Sequence, residues 1–473
     1  MWNRRLAQGQ PSRLRVQGTL ALLHRVDERS ELEGEEATSC AHRLRFDGLP
    51  GRLDPRMQIQ LINTGSELML GRVLNTHQQW ICRQLADHGY VVSRQVAVDD
   101  SGPSIQQAVR EARAAAHLVI VTGGLGPTND DCTRDLVAEL LGRPLHEDES
   151  LVQHIAQFFA ARGRRMPPQT RIQAQVPEGA TVLMNAHGTA PGLVMEASGG
   201  RLLVMLPGPP RELRPMFVEQ VLPLLAKRFP LKGEFVCRTL RTTGLGESLV
   251  EQKIAGALAP LVEKGLAIGY CARVGEVDVR FTASGARARQ WVADAERIAR
   301  RRVGQYVFGV DDEALEGILV RMLTERKRTL ALAESCTGGF IAHRITNVPG
   351  ASVVLLAGLV TYSNKAKQKF LGVRAKTLAT HGAVSEATAR EMAAGARART
   401  GSDYALAVTG IAGPGGGTPE KPVGTVWIGL ASVDGTQAVK KLNPVDRETF
   451  KFVTAQQAME MLRREILDGE RRT

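Results

Sequence analysis

The feature that most limits the fold is a recurring unit. A short apolar run ends in small or polar residues and leads into a helical pattern. Leu118-Val-Ile-Val121 runs into Thr122-Gly-Gly-Leu-Gly-Pro-Thr-Asn-Asp-Asp131. Leu202-Leu-Val-Met-Leu206 runs into Pro207-Gly-Pro-Pro-Arg-Glu212. Thr329-Leu-Ala-Leu-Ala333 runs into Glu334-Ser-Cys-Thr-Gly-Gly339, and Tyr404 to Val408 into Thr409-Gly-Ile-Ala-Gly-Pro-Gly-Gly-Gly417. A strand without polar alternation must be covered on both faces, as in a parallel sheet flanked by helices. Such sheets bind ligands at the carboxyl ends of their strands. The pattern therefore predicts α/β domains whose chemistry lies in these loops.

At 473 residues the chain is too long for one core, so two or three domains are expected. Residues 1–56 mix Arg, Glu, Gln and Gly without sustained periodicity. They read as a disordered extension or, with Met57 following, a mis-called start. Residues 57–228 alternate strand and helix and read as a doubly wound α/β domain. Residues 229–310 read as a small α+β domain of order β-α-β-β-α, with a hairpin around Val274-Gly275. Residues 311–468 return to the strand–loop–helix unit and form a third, α/β domain.

Charge and composition narrow the function. The net charge is +12, yet aromatic residues make up only 4% of the chain. The basic residues are spread thinly and are not interleaved with aromatics, which argues against nucleic-acid binding. The six cysteines are isolated; no CxxC pair and no cysteine–histidine spacing suggests zinc. A reducing cytoplasm fits this usage. No apolar run is long enough to span a membrane.

Two loop groups are candidate sites. In the first domain, Gly123, Gly124 and Gly126 let the backbone approach a ligand. A helix expected from about Asp130 offers N–H groups to a phosphate. Asp130 and Asp131 can hold a hard cation beside a pyrophosphate; equally, they can be helix-start charges that complement the dipole. The loops at Gly188 and at Pro207-Gly208 point to one shared pocket. In the third domain Ser335 sits on a strand-to-helix turn, where a hydroxyl beside free N–H groups suits acyl transfer. The plain alternative is that Ser335 and Thr337 cap the helix, expected to start near Gly338.

Read together, these loops resemble the competence/damage-inducible CinA family from residue 57 to about 466. The resemblance rests on Asn63-Thr-Gly-Ser-Glu67, Gly71 with Asn75, Thr122 to Thr128 with Asp130-Asp131, Gly188-Thr-Ala-Pro-Gly192, and Leu206-Pro-Gly208 with Glu212. It rests further on Ala333 to Gly339, Val360-Thr-Tyr-Ser-Asn364 with Lys367, His381-Gly-Ala-Val-Ser385, and Thr409 to Pro414. Residues 169–175 depart from the family's Asn-x-Lys-Gln-Ala element, with Arg171 and Gln173 but no lysine.

The resemblance implies a molybdopterin-binding-like first domain, a KH-like middle domain and a nicotinamide-nucleotide amidase third domain. It implies hydrolysis of nicotinamide mononucleotide to nicotinate mononucleotide and ammonia, with no cofactor. For the first domain it implies ADP-ribose hydrolysis with a divalent metal at Asp130 and Asp131. Glu67, Asn75, Thr122, Gly123, Gly124, Gly126, Thr128, Gly188, Pro207, Gly208 and Glu212 would bind the nucleotide. A homodimer is implied by analogy. In the third domain Ser335 is expected as nucleophile, Lys367 as base and Tyr362 as relay or orienting group. The plain alternatives are a solvent-facing lysine and a packed strand end. Cys336 is the rival nucleophile. Cys336, Thr337, Gly338 and Gly339 are expected to supply oxyanion contacts. Thr409, Gly410, Gly413, Gly415 and Gly416 are expected to receive the 5′-phosphate. Two other readings compete: a non-enzymatic partner in DNA uptake or recombination, and molybdopterin-related binding by the first domain.

Overall fold

The computed structural model describes residues 57–231 and 233–472. The expected extension at residues 1–56 lies outside the described residues. Among the described residues seventeen strands form three main sheets and a small ribbon.

The first sheet contains β1 (Ile59–Thr64), β2 (Arg94–Val98) and β3 (Leu118–Thr122). The ribbon of β4 (Leu145–Glu147) and β5 (Gln175–Pro177) lies outside it. The sheet is completed by β6 (Thr181–Leu183), β7 (Gly192–Ala197) and β8 (Arg201–Leu206), in the order β2-β1-β3-β8-β7-β6. The first four of these positions are parallel. β7 and β6 add an antiparallel edge. Every residue of β1 and β3 is buried, as continuous apolar runs require. The apolar-run rule predicts the parallel centre but not this edge, because β6 is only three residues long and the Gly188 loop separates it from β7.

The middle sheet is antiparallel, with strands β9 (Phe235–Thr243), β10 (Ala267–Arg273), β11 (Glu276–Ser284) and β12 (Val307–Val310) in the order β10-β11-β9-β12. The helices Glu247–Val262 and Ala288–Val303 share its core, through Val250, Ile254 and Leu258 on one and Val292, Ala295 and Ala299 on the other. β10 and β11 are joined at Val274-Gly275, where Gly275 takes a positive φ of 74°.

The third sheet holds β13 (Leu330–Glu334), β14 (Leu355–Val360), β15 (Tyr404–Gly410), β16 (Thr425–Ser432) and β17 (Gly435–Leu442), in the order β14-β13-β15-β16-β17. β13 runs parallel to both neighbours and is wholly buried; β14 is the edge and alternates in exposure. The helices Leu315–Glu325 and Arg447–Arg472 cover one face, and Glu386–Thr400 the other. This sheet places the ends of β13, β14 and β15 side by side. The described residues thus form a doubly wound α/β domain, a small α+β domain and a second α/β domain. No described helix is long and apolar enough to cross a membrane.

Candidate active site

β13 ends at Glu334 and the chain turns through Ser335-Cys336-Thr337-Gly338-Gly339. Gly338 and Gly339 both take positive φ, 63° and 95°, and the helix Phe340–Thr346 follows. The helix thus starts later than expected, because the two glycines turn the chain first. The Ser335 N–H donates to the Val408 carbonyl on β15 at 3.0 Å, which fixes the turn to the sheet.

The neighbouring helix Asn364–Leu371 supplies the partner. Ser363 caps it by accepting from the Ala366 N–H at 3.1 Å. Lys367 points inward and is only 1% exposed. Its Nζ lies 2.9 Å from Ser335 Oγ, 2.8 Å from the Thr361 carbonyl and 3.3 Å from the Tyr362 carbonyl. Burial pushes the Lys367 amine down to about 8. The difference from its ordinary 10.5 corresponds to about 3 kcal/mol against the charged form. A neutral amine has two protons and one lone pair. The charged amine donates to all three oxygens; once neutral, it keeps its two protons for the carbonyls and can turn its lone pair to Ser335.

Cys336 is buried beside it and has no such partner. Burial chiefly, with the Glu334 carboxylate adding, pushes its thiol up to about 12, against the opposing Lys367 charge. At neutral pH it is a thiol, and thiolate is the reactive form.

The oxyanion expectation needs correction. The Gly338 N–H donates to the Ser335 carbonyl at 3.1 Å. The buried Glu334 carboxylate takes the Gly339 N–H at 3.0 Å, Ile341 N–H at 3.1 Å, Ala342 N–H at 2.8 Å and Thr337 hydroxyl at 2.6 Å. The helix start is thus satisfied from within, and Gly338 and Gly339 are not free to hold an oxyanion. The N–H groups of Cys336 and Thr337 face the Cys336 sulfur, a weak acceptor.

Tyr362 is also placed differently from a relay. Its ring is 60% exposed and its hydroxyl accepts from Arg447 Nη2 at 2.8 Å. Only its backbone carbonyl reaches Lys367. Arg447 Nη1 donates to the Gly413 carbonyl at 2.9 Å, tying the glycine loop to the same corner. Thr409 and Gly410 belong to β15 and pair with β16. The buried Thr409 hydroxyl donates to the Ala383 carbonyl at 2.7 Å and is not available to a phosphate. Gly413, Gly415 and Gly416 remain, the last two exposed.

A pocket of about 380 Å³ lies at the ends of the first sheet. It gathers Glu67, Gly123, Gly124, Gly126, Asp130 and Asp131. Pro207, Gly208 and Glu212 close it from β8. Asn75 caps the Thr76–Asp87 helix, and Thr122 accepts from Asn63 Nδ2 within the sheet; neither lines the pocket. Thr128 bonds to Asp131, and Gly188 is in close contact with Glu212. Asp130 and Asp131 precede the helix, which starts at Thr133. Asp131 is spent on the Thr128 N–H at 3.0 Å, stabilising the turn. Among the described residues no group of three or more His, Cys, Asp or Glu could hold a metal ion. The metal expectation therefore lacks a gathered ligand set.

Three family models match in series: the CinA C-terminal domain at residues 312–466, a probable molybdopterin binding domain at 60–227, and the damage-inducible protein CinA KH domain at 237–309. A CinA-like protein of Akkermansia muciniphila is 45% identical over 408 residues, 85% of this chain and 96% of its own length. One from Kosmotoga olearia is 43% identical over 415 residues, 87% of this chain and 99% of its own.

The chain belongs to the CinA family.

Among solved structures, the competence/damage inducible protein of Agrobacterium tumefaciens is similar at 42% identity, over 32% of this chain and 94% of that one, with a TM-score of 0.31. In this CinA chain several site residues escape a reading of motifs. Glu334 stands inside a quoted motif but carries no assigned role. Its signal is a lone acid ending an apolar strand. Arg447 lies outside every loop motif, and only the tertiary fold brings it to Tyr362. In the first pocket Asp100, Gln173 and Thr189 are added. Asp100 lies two residues past the end of β2, so the strand-end rule could have found it.

Proposed function

We propose that the third domain hydrolyses the carboxamide of nicotinamide mononucleotide, giving nicotinate mononucleotide and ammonia. The supporting observation is the buried Lys367–Ser335 pair, an amine already biased toward its neutral form at 2.9 Å from a hydroxyl. Serine–lysine pairs are one of the convergent solutions to acyl transfer. In the first step Ser335 Oγ bonds to the carboxamide carbon and its proton passes to Lys367. The tetrahedral intermediate then breaks its C–N bond, and Lys367 returns the proton to the departing nitrogen, which leaves as ammonia. Water next attacks the nicotinoyl ester with Lys367 again taking a proton. Cleavage of the ester C–O bond returns a proton to Ser335 and releases the carboxylate.

The Cys336 and Thr337 N–H groups are the donors left for the oxyanion. Removing one such donor in other enzymes costs about 3–4 kcal/mol. Gly413, Gly415 and Gly416, with Arg447 beside them, would take the 5′-phosphate through backbone N–H groups and a guanidinium.

The test is ammonia release from nicotinamide mononucleotide by the purified chain and by Ser335→Ala. Turnover in the first and none in the second is expected. Full activity in Ser335→Ala sinks the assignment. No turnover by either, together with salt-sensitive single-strand binding, supports the non-enzymatic reading instead.

The first pocket favours a second, narrower reading, because its glycine loops leave backbone close to any ligand. It would bind a nucleotide diphosphate such as ADP-ribose, and no hydrolytic step is derived for it. Calorimetry with ADP-ribose tests this; a pterin binding more tightly would favour the molybdopterin alternative.

A further inference from the structure

We propose that the middle domain positions the nucleophile turn through a buried relay, Glu276–Gln456–Arg344, with Gln456 as its positioning residue. Glu276 opens β11 in the middle domain. Gln456 lies on the helix Arg447–Arg472, and Arg344 on the helix Phe340–Thr346 that follows Ser335. All three are buried. Gln456 Nε2 donates to Glu276 Oε1 at 2.8 Å. Gln456 Oε1 accepts from Arg344 Nη2 at 2.9 Å. The second Glu276 oxygen is taken by Arg241 on β9, and Arg344 Nη2 also reaches Glu316 Oε2 at 2.7 Å.

The direction of these bonds explains the residue types. A carboxylate can only accept and a guanidinium can only donate. An amide between them donates at one end and accepts at the other. Each group is buried where losing its partner costs about 1–3 kcal/mol. The relay therefore holds its members to one arrangement of the two domains.

Its mechanical output is the short helix Phe340–Thr346. Glu334 anchors the first turn and sits directly before Ser335. Arg344 anchors the last turn. Displacement of the Arg344 end tilts the helix and strains its bonds to Glu334, and the Thr337–Gly339 turn moves with it. Lys367 does not follow, because it is held by the Thr361 and Tyr362 carbonyls. The Ser335 backbone stays on Val408, so the approach of its side chain to Lys367 is the quantity that changes. Substrate-binding loops elsewhere are unaffected, so kcat should fall without KM.

The test uses the full chain as four proteins: native, Gln456→Glu, Glu276→Gln and the double variant. Gln456→Glu sets two carboxylates against each other; the repulsion pushes the introduced carboxylate away from Glu276 and carries with it the Arg344 guanidinium it still holds. The double variant restores a donor–acceptor pair with the roles exchanged. Amide hydrogen exchange at Gly339, Ile341 and Ala342 reads the helix anchor directly, and ammonia release reads the chemistry. Gln456→Glu is expected to raise exchange about tenfold and to lower kcat about tenfold with KM unchanged. The double variant should return both to within about twofold of native, since contacting residues couple. Native exchange in folded Gln456→Glu, or a double variant worse than either single, overturns the proposal. If Gln456→Glu does not fold, Gln456→Met replaces it; unchanged exchange in that variant overturns the proposal equally. The kinetic arm rests on the amidase reading, but the exchange arm does not. A native chain without turnover but with the expected exchange pattern would fail the function and leave the relay standing.

Discussion

At Ser335 and Cys336 the surroundings of two adjacent nucleophiles outweigh their intrinsic reactivity. The thiol is the stronger group once ionised, but burial pushes it up to about 12. The hydroxyl has an amine at 2.9 Å. Ser335→Ala should lower kcat for nicotinamide mononucleotide by at least about a thousandfold, as for other nucleophile deletions, whereas Cys336→Ala should stay within about tenfold of native. Lys367 sets the pH dependence. Only its neutral form accepts a proton, so kcat should rise about tenfold per pH unit below about 8 and level off above it. The same group links pH to stability. Its folded value lies below its unfolded one, so between about 8 and 10.5 the unfolded chain binds the extra proton. Its stability contribution is therefore full above that window and lost as pH falls through about 8. Denaturant unfolding of Lys367→Met across this range should show a flatter rise than native; an equally steep rise would refute the depressed lysine.

The elements that hold this pair were partly legible in sequence. The buried strands β13 and β15 follow from apolar runs, and Ser363 and Asn364 mark the start of the lysine helix. The partners of that helix were not legible. Its last residue, Leu371, presents a carbonyl to Gly395 in the middle of the Glu386–Thr400 helix. A Cβ at Gly395 would collide with that carbonyl oxygen, so the glycine is there for close approach rather than flexibility. In an isolated helix Gly395→Ala would gain about 1 kcal/mol. Here overpacking against rigid backbone costs about 1–3 kcal/mol, and the clash is severe enough for the cost to win. The variant should unfold at lower denaturant and lose ammonia release as Lys367 shifts. A raised midpoint would show that the helices part freely. Glu334 was similarly hidden, since a carboxylate that caps its own following helix leaves no spacing signal. Glu334→Gln keeps the size but turns an amide N–H₂ toward a backbone donor, so at least the Ala342 bond is lost and the other three lose their charged acceptor. At about 1.5–3 kcal/mol per bond to a charged group, thermal unfolding should drop clearly. Unchanged stability would mean that water replaces the carboxylate.

Across the whole molecule, the order of three domains was readable because each changes the hydrophobic period. The joints were not, because the Glu276–Gln456 contact joins residues far apart in sequence, with no motif between them. The Ser335–Lys367 pair and the Glu212 pocket stand on different sheets, and this separation can be tested through Gly188. A Cβ there would run into the Glu212 carboxylate, which accepts from Asn185 Nδ2 at 2.8 Å. That carboxylate is the end of a flexible side chain, so Gly188→Ala displaces it without forcing the backbone apart. Overall stability should change by no more than about 1 kcal/mol, while Glu212 leaves its place at the pocket wall. ADP-ribose should then bind at least about tenfold more weakly by calorimetry, equivalent to about 1.4 kcal/mol. Ammonia release from nicotinamide mononucleotide, measured on the same preparation, should remain within about twofold of native. Parallel loss of both would instead mean that the first pocket governs the third domain, and the relay through the middle domain would be the contact through which to trace it.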